Sequence, residues 1–476
     1  MLLILACWSG APDRSAALAG YDVFLIVVDA LRADHLGSYA YPRDTSPFID
    51  SLARQGIVFE SAVANSSYTG ESVAALLTGQ LPSRSGAFGW LAHPDRAGPH
   101  LGEIFRRAGY RTGFLSNTVQ LRGPGFTRGF DEVRHLPGRW DISGEGGRLS
   151  ARALDLVRRA GDRPVFLYLH YLDPHAPYDP APRFRRRLAP VPSASPLALY
   201  DDVQPTFGDL VAGGFGPGEP GFEDLIARYD AEIASTDEAV ESLLRGLETL
   251  GRRERTLVVL TADHGEEFLE HGFVEHAWTL YEESIRVPLI FWAAGALEPA
   301  RVAQRISLVD VLPTVLDLVG IAAPDGELDG TSLLERNTGR PVDFETSRPH
   351  FAELLIEERN VVRAVIQDEW KYLAVHRWIS PERRAQTAGK PEPLELDGAP
   401  PIREELYDLA LDPLEQQDRS VDSPRRLASL RNALSEYLES TGPSSGAKRS
   451  SDQESAAEFS PETLERLRAL GYRQAE

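Results

Sequence analysis

The sequence contains one cysteine, Cys7, among its 476 residues, so no intrachain disulfide can form. Basic residues are also scarce: 50 Lys and Arg stand against 71 Asp and Glu, for a net charge of −21 at pH 7. A surface this acidic excludes a broad phosphate-binding face, and we expect no nucleic acid partner. It does not exclude an anionic substrate, provided that a bound metal ion supplies positive charge at the site.

Long apolar segments are also missing, since no stretch is long and apolar enough to span a bilayer. Near the start, Leu3-Ile-Leu-Ala-Cys7 is similar to the lipobox of bacterial lipoproteins, although the basic residues that precede such a signal are absent. Two interpretations stay open for residues 1–20. They are the remnant of a lipoprotein signal, or they form a frayed apolar N-terminus. The first predicts membrane attachment through a lipidated Cys7 and an extracytoplasmic, periplasmic or cell-envelope location.

Apolar runs of strand length alternate with longer segments of helical periodicity. The runs predicted as strands are 22–29, 165–170, 257–262 and 287–292. The segments predicted as helices are 47–55, 70–77, 101–108, 148–160 and 222–250. Continuous apolar strands are typical of parallel sheets that are covered on both faces. The alternation therefore predicts an α/β fold with a doubly wound, mostly parallel sheet flanked by helices.

The pattern changes toward the C-terminus. Residues 21–351 are predicted as the large α/β domain, with a Pro- and Gly-rich surface insertion over 180–220. Residues 352–439 are predicted as a smaller antiparallel α+β subdomain. Its strand patterns are 361–366, 370–375 and 404–409. A polar linker over 440–459 and a capped terminal helix over 460–476 follow.

Polar side chains stand where two of the predicted strands end. Asp29 closes the run 22–29, and Asp263 and His264 follow the run 257–262. Ligands of doubly wound sheets gather at the carboxyl ends of the strands. We therefore expect these residues to share one site.

Three segments occur in an order that resembles the sulfatase branch of the alkaline phosphatase superfamily. They are Val27-Val-Asp-Ala-Leu-Arg32, Tyr68-Thr-Gly-Glu-Ser-Val-Ala-Ala-Leu-Leu-Thr-Gly79 and Thr261-Ala-Asp-His-Gly265. In sulfatases, the residue ten positions before the last glycine of the second segment is the Cys or Ser that becomes formylglycine; here it is Thr69. The resemblance spans roughly 21–434 and implies a metal-dependent enzyme that acts on ester bonds.

Asp29, Asp263 and His264 offer two carboxylates and one imidazole to a single divalent ion. Zinc, manganese, calcium and magnesium are all candidates. The hydroxyl of Thr69 completes a four-ligand set, and beside a cation it becomes a usable nucleophile. The free N–H groups at the start of the helix 70–77 favour both an alkoxide and the anion that it attacks. Thr69 is therefore predicted as a metal ligand and as the catalytic nucleophile.

Three positions depart from the sulfatase pattern. Ala30 replaces the second of two aspartates, Glu71 replaces a proline and Val73 replaces an arginine. With the threonine, the set is similar to the phosphoethanolamine transferases and lipoteichoic acid synthases of the same superfamily. Thr69 has one hydroxyl where a formylglycine hydrate has two, so it cannot release product by elimination. Its ester must be displaced by a second nucleophile, which favours phosphoester chemistry.

Three further residues are candidates for contact with substrate. The segment Asp173-Pro-His-Ala-Pro-Tyr178 resembles a sulfatase loop whose histidine meets the bound oxyanion, which implies this role for His175. His276 falls near a lysine of the family and is predicted to contact substrate and to protonate the leaving oxygen. Arg32 is predicted to bind substrate, with the fixing of its own loop as the alternative.

The favoured function is a metal-dependent hydrolase or phosphotransferase that acts on phosphoesters through Thr69. One alternative is a sulfatase that tolerates threonine. Another is a non-catalytic protein that binds a glycan or a lipid head group, which the loss of charge at Ala30 and Val73 would suit. In each case the expected partner is a small-molecule, glycan or lipid-linked anionic ester.

Overall fold

A computed structural model provides the three-dimensional structure for most of the chain. It describes residues 15–89, 92–94, 98–118, 120–136, 145–188, 216–324, 328–343, 348–356, 360–377 and 400–440. Cys7, residues 441–459 of the predicted linker and the predicted helix 460–476 lie outside the described residues. The predictions about them stay predictions.

Two main sheets organise the described residues. In chain order the strands are β1 (Asp22–Val28), β2 (Ile57–Val63), β3 (Arg111–Ser116), β4 (Glu132–His135), β5 (Val165–Tyr171), β6 (Thr256–Ala262), β7 (Glu267–Phe268), β8 (Val274–Glu275), β9 (Arg286–Ala293), β10 (Ala300–Ser307), β11 (His350–Ile356), β12 (Asn360–Gln367), β13 (Trp370–Arg377) and β14 (Arg403–Asp408). The larger sheet has the order β10-β2-β9-β6-β1-β5-β3-β4, and the smaller has the order β11-β12-β13-β14. A two-stranded hairpin of β7 and β8 stands apart from both.

Helices flank the larger sheet, as the sequence predicts. In chain order the described helices are α1 (Pro47–Ala53), α2 (Thr69–Thr78), α3 (Pro82–Ser85), α4 (Leu101–Arg107), α5 (Pro124–Thr127), α6 (Glu145–Ala160), α7 (Pro182–Leu188), α8 (Pro220–Thr249), α9 (Glu282–Ile285), α10 (Val311–Val319) and α11 (Pro424–Ser440), of which α11 lies on the smaller sheet. The five predicted helices correspond to α1, α2, α4, α6 and α8. In the part of the chain that the structure describes, no helix combines the length and the apolar character needed to cross a membrane.

The neighbouring strands of the larger sheet are parallel except where β9 takes part, because β9 is antiparallel to both β2 and β6. The prediction of a doubly wound, mostly parallel sheet is confirmed. The prediction that the run 287–292 forms a parallel strand is wrong in its direction. β9 is buried along nearly its whole length, as are the mutually parallel strands β1, β5 and β6. An apolar run therefore indicates that a strand is buried. Whether the strand is parallel or antiparallel to its neighbours is determined by the connections between the elements.

Sequence periodicity missed several strands that polar residues interrupt. In β2, Glu60 and Ser61 break the apolar run, and they lie at an irregularity in the pairing with β9 between Phe59 and Ala62. The exposed and half-buried polar residues of β10 hide it in the same way, because that strand lies at the edge of the sheet.

The smaller sheet is antiparallel throughout and begins at His350. The helix α11 packs on it through Leu430, Leu434 and Tyr437. Asn65 joins this sheet to the larger one, since its side-chain amide donates to Phe351 O at 2.9 Å. The loop that leads into α2 is therefore attached to β11.

The predicted surface insertion begins as a helix. Within α7, Phe184 and Leu188 pack against Ala231 and Ala234 of α8. Residues 189–215 lie outside the described residues.

Candidate active site

The site forms where three neighbouring strands end. β1 lies between β5 and β6 and is parallel to both, so their carboxyl ends meet at one edge of the sheet. Asp29 follows β1, and Asp263 and His264 follow β6. His170, the next-to-last residue of β5, joins them. All four side chains are completely buried.

Each aspartate has one oxygen that is hydrogen-bonded and one that is not. Oδ2 of Asp29 lies 2.9 Å from Nε2 of His170, and Oδ1 of Asp263 accepts the backbone N–H of His264 at 3.0 Å and that of Ala30 at 3.3 Å. The remaining oxygens, Asp29 Oδ1 and Asp263 Oδ2, have no hydrogen-bond partner among the described residues. Buried carboxylate oxygens of this kind need a ligand or a proton.

His264 turns a ring nitrogen toward those two oxygens. Its Nδ1 donates to the carbonyl of Gly265 at 2.8 Å, which in the neutral ring leaves a lone pair on Nε2. Nε2 lies 3.5 Å from Asp29 Oδ1 and 3.6 Å from Asp263 Oδ2. The candidate ligand atoms of the three residues all lie within 4.8 Å of one another. Asp29, Asp263 and His264, the ligand group, therefore fit a divalent metal ion as the sequence predicts.

Thr69 stands at the edge of the ligand group. It is the first residue of α2, and its Oγ1 lies 3.2 Å from Nε2 of His264 with no exposed surface. The helix is fastened to the end of β6, because the Ser72 hydroxyl donates to the carbonyl of Asp263 at 2.5 Å. The four predicted metal-binding residues are thus together.

The charges of the ligand group oppose one another. Burial acts to raise the pKa of Asp29, but His175 and His170 help to hold that pKa below its ordinary value. Burial and the negative charge of Asp29 raise the pKa of Asp263. Burial acts to lower the pKa of His264, yet the charges of Asp263 and Asp29 raise it. The cluster therefore attracts a positive charge, either a proton or a metal ion.

The two other predicted histidines extend from the ligand group. The ring of His276 lies 4.3 Å from that of His264, and the ring of His175 lies 4.7 Å from that of His276, measured between centroids. We call these three the imidazole row. Nδ1 of His175 donates to the carbonyl of Ala176 at 2.6 Å.

Glu266 holds the middle of the imidazole row. One of its oxygens lies 2.9 Å from Nδ1 of His276, and the other accepts the hydroxyl of Tyr178 at 2.8 Å. Burial raises the pKa of Glu266 to about 7. Burial and the neighbouring His264 lower the pKa of His276 well below its ordinary value. Burial also lowers the pKa of His175. Both loop histidines are therefore neutral, and each can carry its proton on one ring nitrogen.

Arg32 lies between two loops and is engaged by acidic groups. Its guanidinium donates to Asp34 at 3.0 and 2.8 Å, to Glu270 at 2.5 Å and to the carbonyl of Glu266 at 3.0 Å. These contacts are those of a residue that fixes loops. The predicted role in substrate binding stays a prediction.

Sequence reasoning missed His170 and Glu266. His170 is hidden in an apolar strand, and only the pairing of β1 with β5 reveals its partner. Glu266 comes two residues after His264, and its position beside a recognised motif is the signal that could have found it. Val73 and Ala30, where sulfatases carry charge, are buried apolar residues here.

The chain matches the family model for Sulfatase over residues 21–321. It is 28% identical over 346 residues to the ulvan-active sulfatase of Formosa agariphila, a match that spans 66% of this chain and 64% of that relative. Most of the chain also superimposes on solved structures. One is a protein in complex with its substrate D-glucosamine-2-N,6-O-disulfate, with a TM-score of 0.69 and 18% identity over 88% of this chain and 98% of that one.

The phosphonate monoester hydrolase of Agrobacterium radiobacter is another structural neighbour, with a TM-score of 0.62 and 21% identity over 90% of this chain and 96% of that one. At these identities the two structures speak for the fold alone. The family model covers more than half of the sequence and includes the ligand group and Thr69. The chain therefore belongs to the sulfatase family of the alkaline phosphatase superfamily, whose members are ester-hydrolysing enzymes.

Proposed function

We propose that this chain is a metal-dependent hydrolase or phosphotransferase that acts on phosphoesters through a covalent intermediate on Thr69. The observation that carries the proposal is the position of the Thr69 hydroxyl. It lies at the start of α2, buried, and 3.2 Å from the His264 nitrogen that also faces the free oxygens of Asp29 and Asp263.

The ligand group and Thr69 would hold one divalent ion, chosen among zinc, manganese, calcium and magnesium. An imidazole in the set favours zinc or manganese, because calcium and magnesium prefer oxygen ligands. When bound, the ion would lower the pKa of the Thr69 hydroxyl and offset negative charge on the ester.

Each residue then has a defined part in a double displacement. Thr69 Oγ attacks phosphorus, a bond from Thr69 to phosphorus forms, and the bond to the leaving oxygen breaks. In this scheme His276 protonates the leaving oxygen, and His175 contacts a non-bridging oxygen. Because His276 is neutral, it can give the proton of Nε2 to the leaving oxygen only if Nδ1 accepts from Glu266, whose pKa of about 7 allows it to carry and pass on that proton. In the second half, water or another alcohol attacks phosphorus, returns a proton to His276 and releases the Thr69 oxygen.

Phosphorus is favoured over sulfur for a chemical reason. Thr69 carries a single hydroxyl and a methyl group, so its ester has no second hydroxyl to drive elimination. It must be cleared by displacement at the central atom, which phosphoryl groups undergo with charge stabilisation from the site.

A sulfatase that tolerates threonine is the second candidate. It is favoured by the matched relatives, since one is named for sulfatase activity and one neighbour was solved with a sulfated sugar. The expected substrate is a small-molecule, glycan or lipid-linked anionic ester. We also propose an extracytoplasmic location with membrane attachment through Cys7. The lipobox-like segment is the sole basis for this proposal.

The test compares p-nitrophenyl phosphate, bis(p-nitrophenyl) phosphate and p-nitrophenyl sulfate as substrates of the metal-loaded protein. Thr69→Ala should lower turnover by about 10⁴-fold or more while metal is still bound. Thr69→Ser should keep measurable activity, because it retains the hydroxyl. The matched control is Thr78→Ala on the same helix, because the Thr78 hydroxyl donates to the carbonyl of Ala74 and accepts the backbone N–H of Gln80.

A rapid acid quench should leave phosphate on the peptide that contains Thr69, as seen by mass spectrometry. Sulfate on that peptide, or faster cleavage of the aryl sulfate than of both phosphoesters, would replace this proposal with the sulfatase. Near wild-type turnover in Thr69→Ala would remove covalent catalysis altogether.

A further inference from the structure

His170 is a buried histidine to which the proposed chemistry assigns no role. Its Nε2 lies 2.9 Å from Oδ2 of Asp29, and its Nδ1 lies 2.8 Å from the hydroxyl of Tyr168. Tyr168 and His170 are two residues apart on β5, so their side chains share one face of the strand. Neither has any exposed surface.

The hydrogen bonds run in one direction, toward the aspartate. A carboxylate only accepts, so the proton between the two groups belongs to Nε2 of His170. In the neutral ring Nδ1 is then the acceptor, and the Tyr168 hydroxyl donates to it. Tyr168 thus selects the ring form that donates to Asp29.

The oxygen that His170 holds is not the one that faces the ligand group. Oδ2 of Asp29 accepts from His170, whereas Oδ1 faces Nε2 of His264 at 3.5 Å. A carboxylate that is fixed through one oxygen can present the other in a single orientation. Loss of such an outer partner typically lowers metal affinity by about 10–100-fold.

We infer that His170, with Tyr168 behind it, is a positioning residue that orients Asp29 for a divalent cation. The inference rests on the proposed function, because it requires that Asp29 binds metal. Asp263 is fixed differently, through backbone N–H groups of Ala30 and His264. A side-chain substitution can therefore loosen Asp29 and leave Asp263 in place.

The experiment measures the Kd for Zn²⁺ and for Mn²⁺ by competition with a chelator, in full-length wild type and variants. His170→Leu removes the donor and keeps an apolar side chain, and we expect affinity to fall by about 10–100-fold. His170→Gln carries an amide N–H close to the position of Nε2, and we expect its Kd within about threefold of wild type. An equal loss in both variants would overturn the inference, since packing and not the N–H would then matter.

Two tyrosines give a matched pair. Tyr168→Phe should weaken binding by about two- to fivefold, because it removes only the group that selects the ring form. Tyr171 is buried on the same strand, and its hydroxyl contacts Ser150 instead. Tyr171→Phe should therefore leave the Kd unchanged. If His170→Leu does not fold, equal affinities in the two Phe variants overturn the inference.

The thermal unfolding temperatures of the metal-free wild type and variants are compared as well. They distinguish a weaker Kd caused by a misoriented Asp29 from one caused by a destabilised fold. A wild-type Kd in His170→Leu overturns this inference alone. Failure of the wild type to bind either ion overturns the proposed function and this inference with it.

Discussion

Two regions of the protein bury clusters of charge, and they balance them differently. Between the two sheets, Nζ of Lys371 lies 2.8 Å from Glu415 and 3.3 Å from Glu282, and Arg305 lies 3.1 Å from Glu282. Two cations thus meet two buried carboxylates, while the exposed Glu369 lies 3.7 Å from Arg305 at the rim. We call Lys371, Arg305, Glu282 and Glu415 the balanced region. At the strand ends, the oxygens of Asp29 and Asp263 that accept no hydrogen bond both face one imidazole, that of His264. We call these three residues, the ligand group, the unbalanced cluster or region.

Under the proposed function, the difference separates charges that stabilise the fold from charges that bind metal and substrate. Removal of one partner from a balanced buried pair leaves the other uncompensated, which is strongly destabilising. In the unbalanced cluster, buried negative charge is already uncompensated when no metal is bound, and this lowers the free energy of unfolding. Removal of one carboxylate therefore reduces that destabilisation. Substitutions at the ligand group should therefore abolish activity without lowering stability. Substitutions at Lys371 should lower stability without changing activity.

The largest effect is expected for Asp263→Ala. Loss of one anionic ligand should remove bound metal and lower turnover by about 10³-fold or more. The metal-free variant should unfold at the same temperature as metal-free wild type, or higher. Elemental analysis and calorimetry on the two metal-free proteins give both readouts. Full metal occupancy in the variant would show that the site is assigned wrongly.

Glu266→Gln tests the support of the imidazole row. The amide keeps the shape of the side chain and can still accept from Tyr178, but it has no proton to pass to His276. We expect kcat to fall by about 10–100-fold with metal affinity unchanged. The control is Glu267→Gln, because that neighbouring buried carboxylate accepts from Ser284 and Thr279 instead. Similar kcat values in Glu266→Gln and Glu267→Gln would contradict the assignment of Glu266 to the active site.

Lys371→Met examines the balanced region. It leaves Glu415 buried without its ammonium partner and should cost about 3–5 kcal/mol of unfolding free energy. Urea denaturation measures the loss, and the double variant with Glu415→Gln should recover part of it. At temperatures where the variant is folded, kcat should match wild type. A Lys371→Met protein that is as stable as wild type but has a low kcat would show that Lys371 acts in catalysis and not in folding.

Sequence alone predicts the unbalanced region better than the balanced one. Asp29 and Asp263 each end an apolar run, so the strand pattern itself brings them to one edge of the sheet. The balanced region gives no such signal, because Lys371, Glu282 and Glu415 are far apart in sequence and follow no shared periodicity. His170 was hidden for a related reason, since its partner depends on which strand pairs with β1. The direction of β9 also depends on chain connections, which apolar content does not encode.

The smallest effect concerns His271, which lies beside the balanced region. Its Nδ1 lies 2.6 Å from the Glu283 carboxylate and its Nε2 lies 3.1 Å from the carbonyl of Glu415, while its ring stacks on Tyr281. Both partners only accept, so the ring satisfies them fully only when it carries two protons. Burial acts to lower the pKa of His271, but Glu283 raises it from 6.5 to about 9.

Because the folded pKa lies above the unfolded one, the stabilisation is complete below about pH 6.5 and is lost as the pH rises through about 9. Hydrogen bonds to charged groups suggest about 2 kcal/mol at low pH. We expect the free energy of unfolding of wild type to exceed that of His271→Gln by this amount at pH 6 and to converge with it near pH 9.5. Urea denaturation across that range measures the difference. A constant difference would mean that packing against Tyr281, and not the charge of His271, stabilises this corner of the protein.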